Sequence, residues 1–263
     1  MGLFGFLFKK KKKQIKIGLA LGSGGAKGFA ELGVIKALEE EGITFDYIAG
    51  TSIGSIIGAF LADGYSSTDI FELLKRINAK DIAGIPIAMN AVGLKKVIEK
   101  NLGSIEFEDL KKPFKAIATE YESGECAVLS EGNVAECLCA SACIPPYFKP
   151  VEINGRKYVD GAFSNSVPAD VVKEMGADYI IGVDISTPKG EPSLFDKILP
   201  TYKGKVQEPR AKGYEYSDIV IHPDLAGYNG ISFGSADYMY DIGYETAKLQ
   251  VKKIKAEIEK KSK

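Results

Sequence analysis

Twice within the first 54 residues an apolar run breaks at a glycine-bearing turn and resumes as a helix-forming run. The first unit is Ile15 to Leu21 followed by Gly22-Ser23-Gly24-Gly25-Ala26-Lys27-Gly28. The second is a short run ending Tyr47-Ile48-Ala49, followed by Gly50-Thr51-Ser52-Ile53-Gly54. Strand–turn–helix units in series commit a chain to an α/β fold: a mostly parallel central sheet with helices on both faces, in three layers. They also place chemistry. Bare amides at a helix N-terminus suit a negative charge, and a serine on a sharp strand-to-helix elbow has its hydroxyl presented as a nucleophile's must be.

The alternation continues along the chain. Apolar residues at helical spacing (Phe29, Leu32, Ile35, Leu38) predict a helix from Ala26 to Glu41, stopped by Gly42. Further helices are predicted from Ile53 to Leu61, Ser67 to Ile77, around Leu94 to Lys100, Val134 to Ser141, Pro168 to Gly176 and Ala236 to Lys260. Strands are predicted at Phe114 to Thr119 and Cys126 to Leu129, joined as a hairpin. A second hairpin, Val151 to Ile153 and Lys157 to Val159, turns at Asn154-Gly155. Two more strands are expected at Tyr179 to Ile185 and Ile219 to Ile221. The polar stretch 186–213 carries four prolines and is too long for an ordinary connection, so it reads as a flap over a site. The expected organisation is one domain over 15–263 behind a tail, 1–14.

Composition excludes several classes. An apolar fraction of 45% supports a sizeable core, and a net charge of -1 argues against nucleic-acid binding. Cys126, Cys137, Cys139 and Cys143 lack the spacing of a zinc site, and the single histidine lies far off in sequence. No metal or cofactor is expected. No apolar run reaches the ~18 residues of a membrane span. The tail is different. Met1 to Phe8 is apolar with three phenylalanines, and Lys9 to Lys13 are consecutive lysines. A secretory signal has the opposite order. Residues 1–13 are expected to hold the protein peripherally on the cytoplasmic, inner face of a membrane, with aromatics in the interface and lysines on anionic headgroups.

The pattern G-x-S-x-G occurs twice, at Ser52 and at Gly230-Ile231-Ser232-Phe233-Gly234. Only Ser52 lies between an apolar run and a helix-forming run, so Ser52 is the nucleophile candidate; serine is also a favoured helix N-cap. The Gly22–Gly28 loop fits neither nucleotide fingerprint, because its last glycine comes one position late and Lys27 is followed by glycine. Gly24, Gly25 and Ala26 remain as backbone donors for an oxyanion, with Lys27 available for an anionic substrate group. Two bases compete. Ser52, Asp160 and His222 stand in the serine–acid–histidine order of α/β-hydrolases. Alternatively Asp160, at the exit of an apolar strand and before Gly161, acts directly; an aspartate there also suits a turn cap.

Together Gly24-Gly25-Ala26-Lys27-Gly28, Gly50-Thr51-Ser52-Ile53-Gly54 and Asp160-Gly161-Ala162, in that order, resemble the patatin-like phospholipases, particularly their compact bacterial group. Ala140-Ser141-Ala142-Cys143-Ile144-Pro145 is similar to the family's small-residue helix before a proline turn. The resemblance runs from about Ile15 to Ile185 and more weakly to about residue 250. It implies the patatin-like α/β/α fold and a Ser-Asp dyad. Ser52 attacks a lipid ester, Asp160 takes its proton, and an acyl-enzyme forms and is hydrolysed. Gly50, Gly54 and Gly161 are the supporting motif glycines, and no metal is required. The implied partner is a lipid or acyl-ester substrate. Two other readings stay open: a non-catalytic lipid-binding or regulatory protein on the same scaffold, and a Ser-His-Asp esterase using His222.

Overall fold

The computed structural model describes residues 13–77, 91–145, 147–186 and 211–263. Most of the N-terminal tail (1–12) and most of the expected flap (187–210) lie outside the described residues. Eight strands form one sheet: β1 Ile17–Leu21, β2 Tyr47–Thr51, β3 Phe114–Glu120, β4 Cys126–Leu129, β5 Val151–Ile153, β6 Arg156–Asp160, β7 Tyr179–Val183 and β8 Ile219–Ile221. Hydrogen-bonded neighbours follow the order β5-β6-β3-β2-β1-β7-β8, with β4 also paired to β3. The β3-β2-β1-β7-β8 part is parallel, and the β4, β5 and β6 pairings are antiparallel.

The helices are α1 Gly28–Glu40, α2 Ile53–Ala62, α3 Ser67–Arg76, α4 Val92–Leu102, α5 Val134–Ser141, α6 Ala169–Glu174, α7 Ala211–Tyr216 and α8 Ala236–Lys261. Side-chain alternation explains the layers. Leu19, Leu21, Ile48, Ile181 and Val183 point into the larger core with α1, α2 and α8. Ala20, Ala49, Ile117 and Ile180 point the other way, onto Val171 and Val172 of α6. Residues on alternate positions of a strand necessarily face opposite sides, so both sheet faces are covered, as a parallel sheet requires.

Several boundaries differ from the sequence reading. β1 starts at Ile17, two residues later than expected, and β7 ends at Val183. The first helix opens with a tighter turn, Gly25–Lys27, before α1 begins. Helix α7 occupies part of the stretch read as polar connection. It is only six residues long, with Gly213 as its buried residue, packed on Val167; so short an element carries no periodicity to detect. The Asn154-Gly155 turn has positive φ at both residues, 51° and 76°, as a tight hairpin demands.

One detail of register places the site. Ile117 of β3 faces both Thr51 of β2 and Val128 of β4. Ala118 faces both Ala127 of β4 and Asp160 of β6. A strand has two edges, so β4 takes one and β2 and β6 share the other. β2 runs parallel to β3 and β6 antiparallel to it, so these two strands run toward each other and their C-terminal ends meet at Ile117–Ala118.

Candidate active site

Ser52 is the residue immediately after β2, and Asp160 is the last residue of β6. Their main chains come together where the two strands meet, and Ser52 Oγ donates to Asp160 Oδ2 at 2.6 Å. Ser52 precedes α2 but its side chain makes no capping bond. The hydroxyl is directed at the carboxylate instead, which sets the cap alternative aside. Asp160 does cap: its Oδ1 accepts the Ala162 amide at 2.9 Å while Oδ2 takes the serine. One oxygen of the carboxylate thus holds the turn, and the other takes the Ser52 hydroxyl.

The elbow is strained. Ser52 has φ 57° and ψ -122°, and Asn154 is the only other non-glycine residue with positive φ among the described residues. Such a conformation costs of order 1–3 kcal/mol and persists only where its surroundings enforce it. The motif glycines permit it. A Cβ on Gly50 would stand 2.2 Å from the Gly54 carbonyl oxygen, and one on Gly54 would stand 2.5 Å from that of Gly22. Gly54 therefore also lets the elbow lie against the glycine loop. A Cβ on Gly161 would stand 2.3 Å from the Ile117 carbonyl oxygen, so that glycine lets β6 end against β3.

Burial sets the electrostatics. Asp160 is 0% and Ser52 is 4% exposed. Desolvation raises the Asp160 carboxyl to about 7, against the opposing pull of the Ser52 and Ala162 hydrogen bonds. An ordinary aspartate is a poor base near neutrality, but one at about 7 is matched to general-base work. The thiol of Cys143 near it is driven by burial up to about 12 and is inert as a nucleophile.

The glycine loop can be audited amide by amide. Gly22 donates to Glu31 Oε1 at 2.6 Å, and Ser23 to the Ser166 carbonyl at 3.1 Å. Ala26 donates to the Gly230 carbonyl at 2.9 Å, and Lys27 to that of Gly24 at 3.2 Å. Gly24 and Gly25 are left with no acceptor among the described residues. Of the expected donors Gly24, Gly25 and Ala26, the Ala26 amide is thus already engaged, and those of the two glycines remain available. Lys27 is buried, 5% exposed, and does not line the cavity described below. Glu31 is wholly buried beneath Gly22, and desolvation raises its carboxyl well above the usual range against the pull of the Gly22 amide.

Two residues of the strap that pins this loop belong to the second G-x-S-x-G segment. Gly230 holds Ala26, and Phe233 packs edge-on to Phe29 with ring centres 6.4 Å apart. Ser232 exchanges hydrogen bonds with Asn229 and does not reach the site. Sequence reasoning left Ser232 out of the chemistry. It missed the role of its neighbours, since a backbone bond across 200 residues has no local signature.

Ser52 and Gly25 open onto a cavity of about 150 Å³. Its walls are almost wholly apolar, among them Phe29, Ile56, Phe60, Leu94, Ile98 and Phe233. His222 is elsewhere. It lies after β8, with Nδ1 3.3 Å from Asp184 Oδ2 and 3.2 Å from the Tyr214 hydroxyl. Burial alone would raise Asp184, but His222 and Ser186 outweigh it and hold its carboxyl well below the usual range. The structure does not bring His222 to Ser52 or Asp160, so the Ser52–Asp160–His222 triad is not formed. Among the described residues no group of histidine, cysteine and acidic side chains could hold a metal ion, and no helix is long and apolar enough to cross a membrane.

Lysophospholipase nte1 of Aspergillus fumigatus is 30% identical over 286 residues, covering 92% of this chain and 18% of that protein. Patatin-like phospholipase domain-containing protein 7 of Mus musculus is 33% identical over 279 residues, covering 87% and 20%. The chain thus spans about a fifth of the length of these relatives. Among solved structures, VipD from Legionella pneumophila superposes with a TM-score of 0.59 at 14% identity, over 92% of this chain and 68% of that one. Human GIVD cytosolic phospholipase A2, solved with methyl gamma-linolenyl fluorophosphonate, gives 0.52 at 11% identity, over 95% and 60%. The family model for patatin-like phospholipase matches residues 19–173, which hold the glycine loop, the Ser52 elbow and Asp160. By sequence and fold alike, the chain belongs to the patatin-like phospholipase family.

Proposed function

We propose that this protein is a serine acyl hydrolase that cleaves carboxylic esters of lipids through a Ser52–Asp160 dyad. The observation that carries the reading is the 2.6 Å hydrogen bond from Ser52 Oγ to Asp160 Oδ2 at the head of an apolar cavity. Asp160 removes the proton as Oγ attacks the ester carbonyl. The developing oxyanion is met by the amides of Gly24 and Gly25 and by the positive end of α2. Collapse expels the alcohol, which regains the proton from Asp160, and leaves the acyl group on Ser52 with its chain in the cavity. Asp160 then deprotonates a water that releases the acid. The names of the relatives, lysophospholipase and patatin-like phospholipase, favour a phospholipid or lysophospholipid over a simple ester. Residues 1–13 would bring the enzyme to an anionic membrane surface.

The test is labelling by a fluorophosphonate alongside ester hydrolysis. Ser52→Ala is expected to abolish both; undiminished labelling would remove Ser52 from the mechanism, and lipid binding without turnover by the parent would favour the non-catalytic alternative. His222→Ala is expected to keep kcat/KM within a few-fold, because its partner is Asp184. A loss of ~10³-fold would bring a histidine triad back.

A further inference from the structure

We propose that Ser141 is a positioning residue for the nucleophile: its hydroxyl fixes the main chain of Ser52 to β3, the strand against which β6 and its Asp160 also pair. The inference rests on the reading of Ser52 as nucleophile. Ser141 ends α5 and is wholly buried. Its Oγ accepts the Ser52 amide at 2.9 Å and donates to the Ile117 carbonyl at 2.5 Å. A hydroxyl has one proton and two lone pairs. With the proton given to Ile117, a lone pair is turned to the Ser52 amide, and the bridge has a single sense.

Its place in the fold gives the bridge its purpose. Ile117 is the last β3 residue that faces β2, and Asp160 sits opposite the next one, Ala118. The bridge therefore stands in the gap between two converging strand ends. There the Ser52 amide lies one residue beyond the last β2 position, Thr51, and donates to no strand, and a buried amide must find an acceptor. The Ser141 hydroxyl supplies one and anchors it to β3. Ser52 and Asp160 are then both referred to the same two residues, Ile117 and Ala118, and the separation of Oγ from Oδ2 is fixed by β3 rather than by either turn. Ser141 touches no reacting atom. Its loss should misalign the attack while leaving the cavity, and hence substrate binding, alone.

The experiment compares Ser141→Ala and Ser141→Cys with the parent, measuring kcat and KM on a soluble short-chain ester, fluorophosphonate labelling rate, and amide hydrogen exchange at residue 52 and in β1. Ser141→Ala is expected to lower kcat and labelling by about ten- to a hundredfold with KM within twofold, since small misplacements of a nucleophile act on that scale. Exchange at residue 52 should accelerate while β1 stays protected. Ser141→Cys, which restores a weak donor and acceptor, should recover part of kcat, and it carries the test if the alanine variant does not fold. The proposal is overturned if kcat and exchange at residue 52 are unchanged, or if exchange rises equally throughout the sheet. A Ser52→Ala protein that still hydrolyses the ester would overturn the nucleophile assignment, whereas exchange at residue 52 in the Ser141 variants would still report on the bridge.

Discussion

Asp160→Asn is expected to inactivate the protein and, above neutral pH, to make it harder to unfold. The carboxyl titrates at about 7 in the folded state against an ordinary value of 3.8. Below 3.8 both folded and unfolded chains hold the proton, and burial of the neutral acid is inexpensive. Between these values the unfolded chain has released its proton and the folded one has not. The folded state binds more protons there, so stability falls as pH rises, until Asp160 ionises near 7 and the loss levels off. The full difference is of the order of 4 kcal/mol. Asparagine cannot ionise and escapes this penalty. Melting curves of parent and variant should coincide near pH 4 and separate by several degrees at pH 8, with the variant higher. Ester hydrolysis should fall by about 10³-fold, the scale of a lost general base. In the parent, activity should rise with pH through about 7, as the base becomes available. A variant that melts lower than the parent at pH 8 would mean that the buried carboxylate is stabilising where it sits.

Gly25→Ala is expected to cost two or more orders of magnitude in kcat while the protein still folds. Gly25 has φ 59°, a conformation that strains any residue bearing a Cβ. Here the Cβ would also stand 2.5 Å from the Gly230 carbonyl oxygen and 3.0 Å from Gly230 Cα. Those are backbone atoms, which cannot rotate aside, so the loop must shift. The same carbonyl holds the Ala26 amide, and the shift would loosen both the strap and the direction of the Gly24 and Gly25 amides. Loss of one well-aimed oxyanion donor is worth about 10²–10³-fold. Gly42→Ala is the matched control. Gly42 has φ 75° but open space around its Cβ position, so the variant carries the conformational strain and should keep its activity. A fully active Gly25→Ala would exclude this loop from oxyanion binding.

Much of this was legible in the sequence, for definite reasons. Ser52 was readable because the requirements of an elbow are local: an apolar run, two glycines at fixed offsets, a helix of small residues. Asp160 was readable from its place at a strand exit before Gly161. β6 itself was announced by Asn154-Gly155, whose positive φ values few other residues tolerate. What stayed hidden is long-range backbone pairing. Gly230 fastens Ala26 through a carbonyl every residue possesses, and Ser141, one small residue among several in Ala140-Ser141-Ala142, acquires its role only when Ile117 and Ser52 arrive on either side of it. The engagement of the Ala26 amide was hidden for the same reason. Glu31 was equally silent. An acid in the first turn of a helix is ordinary, and only its complete burial and its bond from the Gly22 amide reveal a brace beneath the loop.

The convergence of β2 and β6 on a single edge of β3 has a consequence for how the Ser52–Asp160 pair tolerates change. Ser52 and Asp160 are 108 positions apart, yet loop length enters nowhere into their spacing. Insertions in the turn after α2 would leave the pair untouched. Deleting a single residue inside β3 near Ile117 would shift one member relative to the other by about a strand step of ~3.3 Å and flip side chains to the wrong face. Alignment is written in that short strand and in the bridge that Ser141 makes to it, not in the length of chain that separates the two residues.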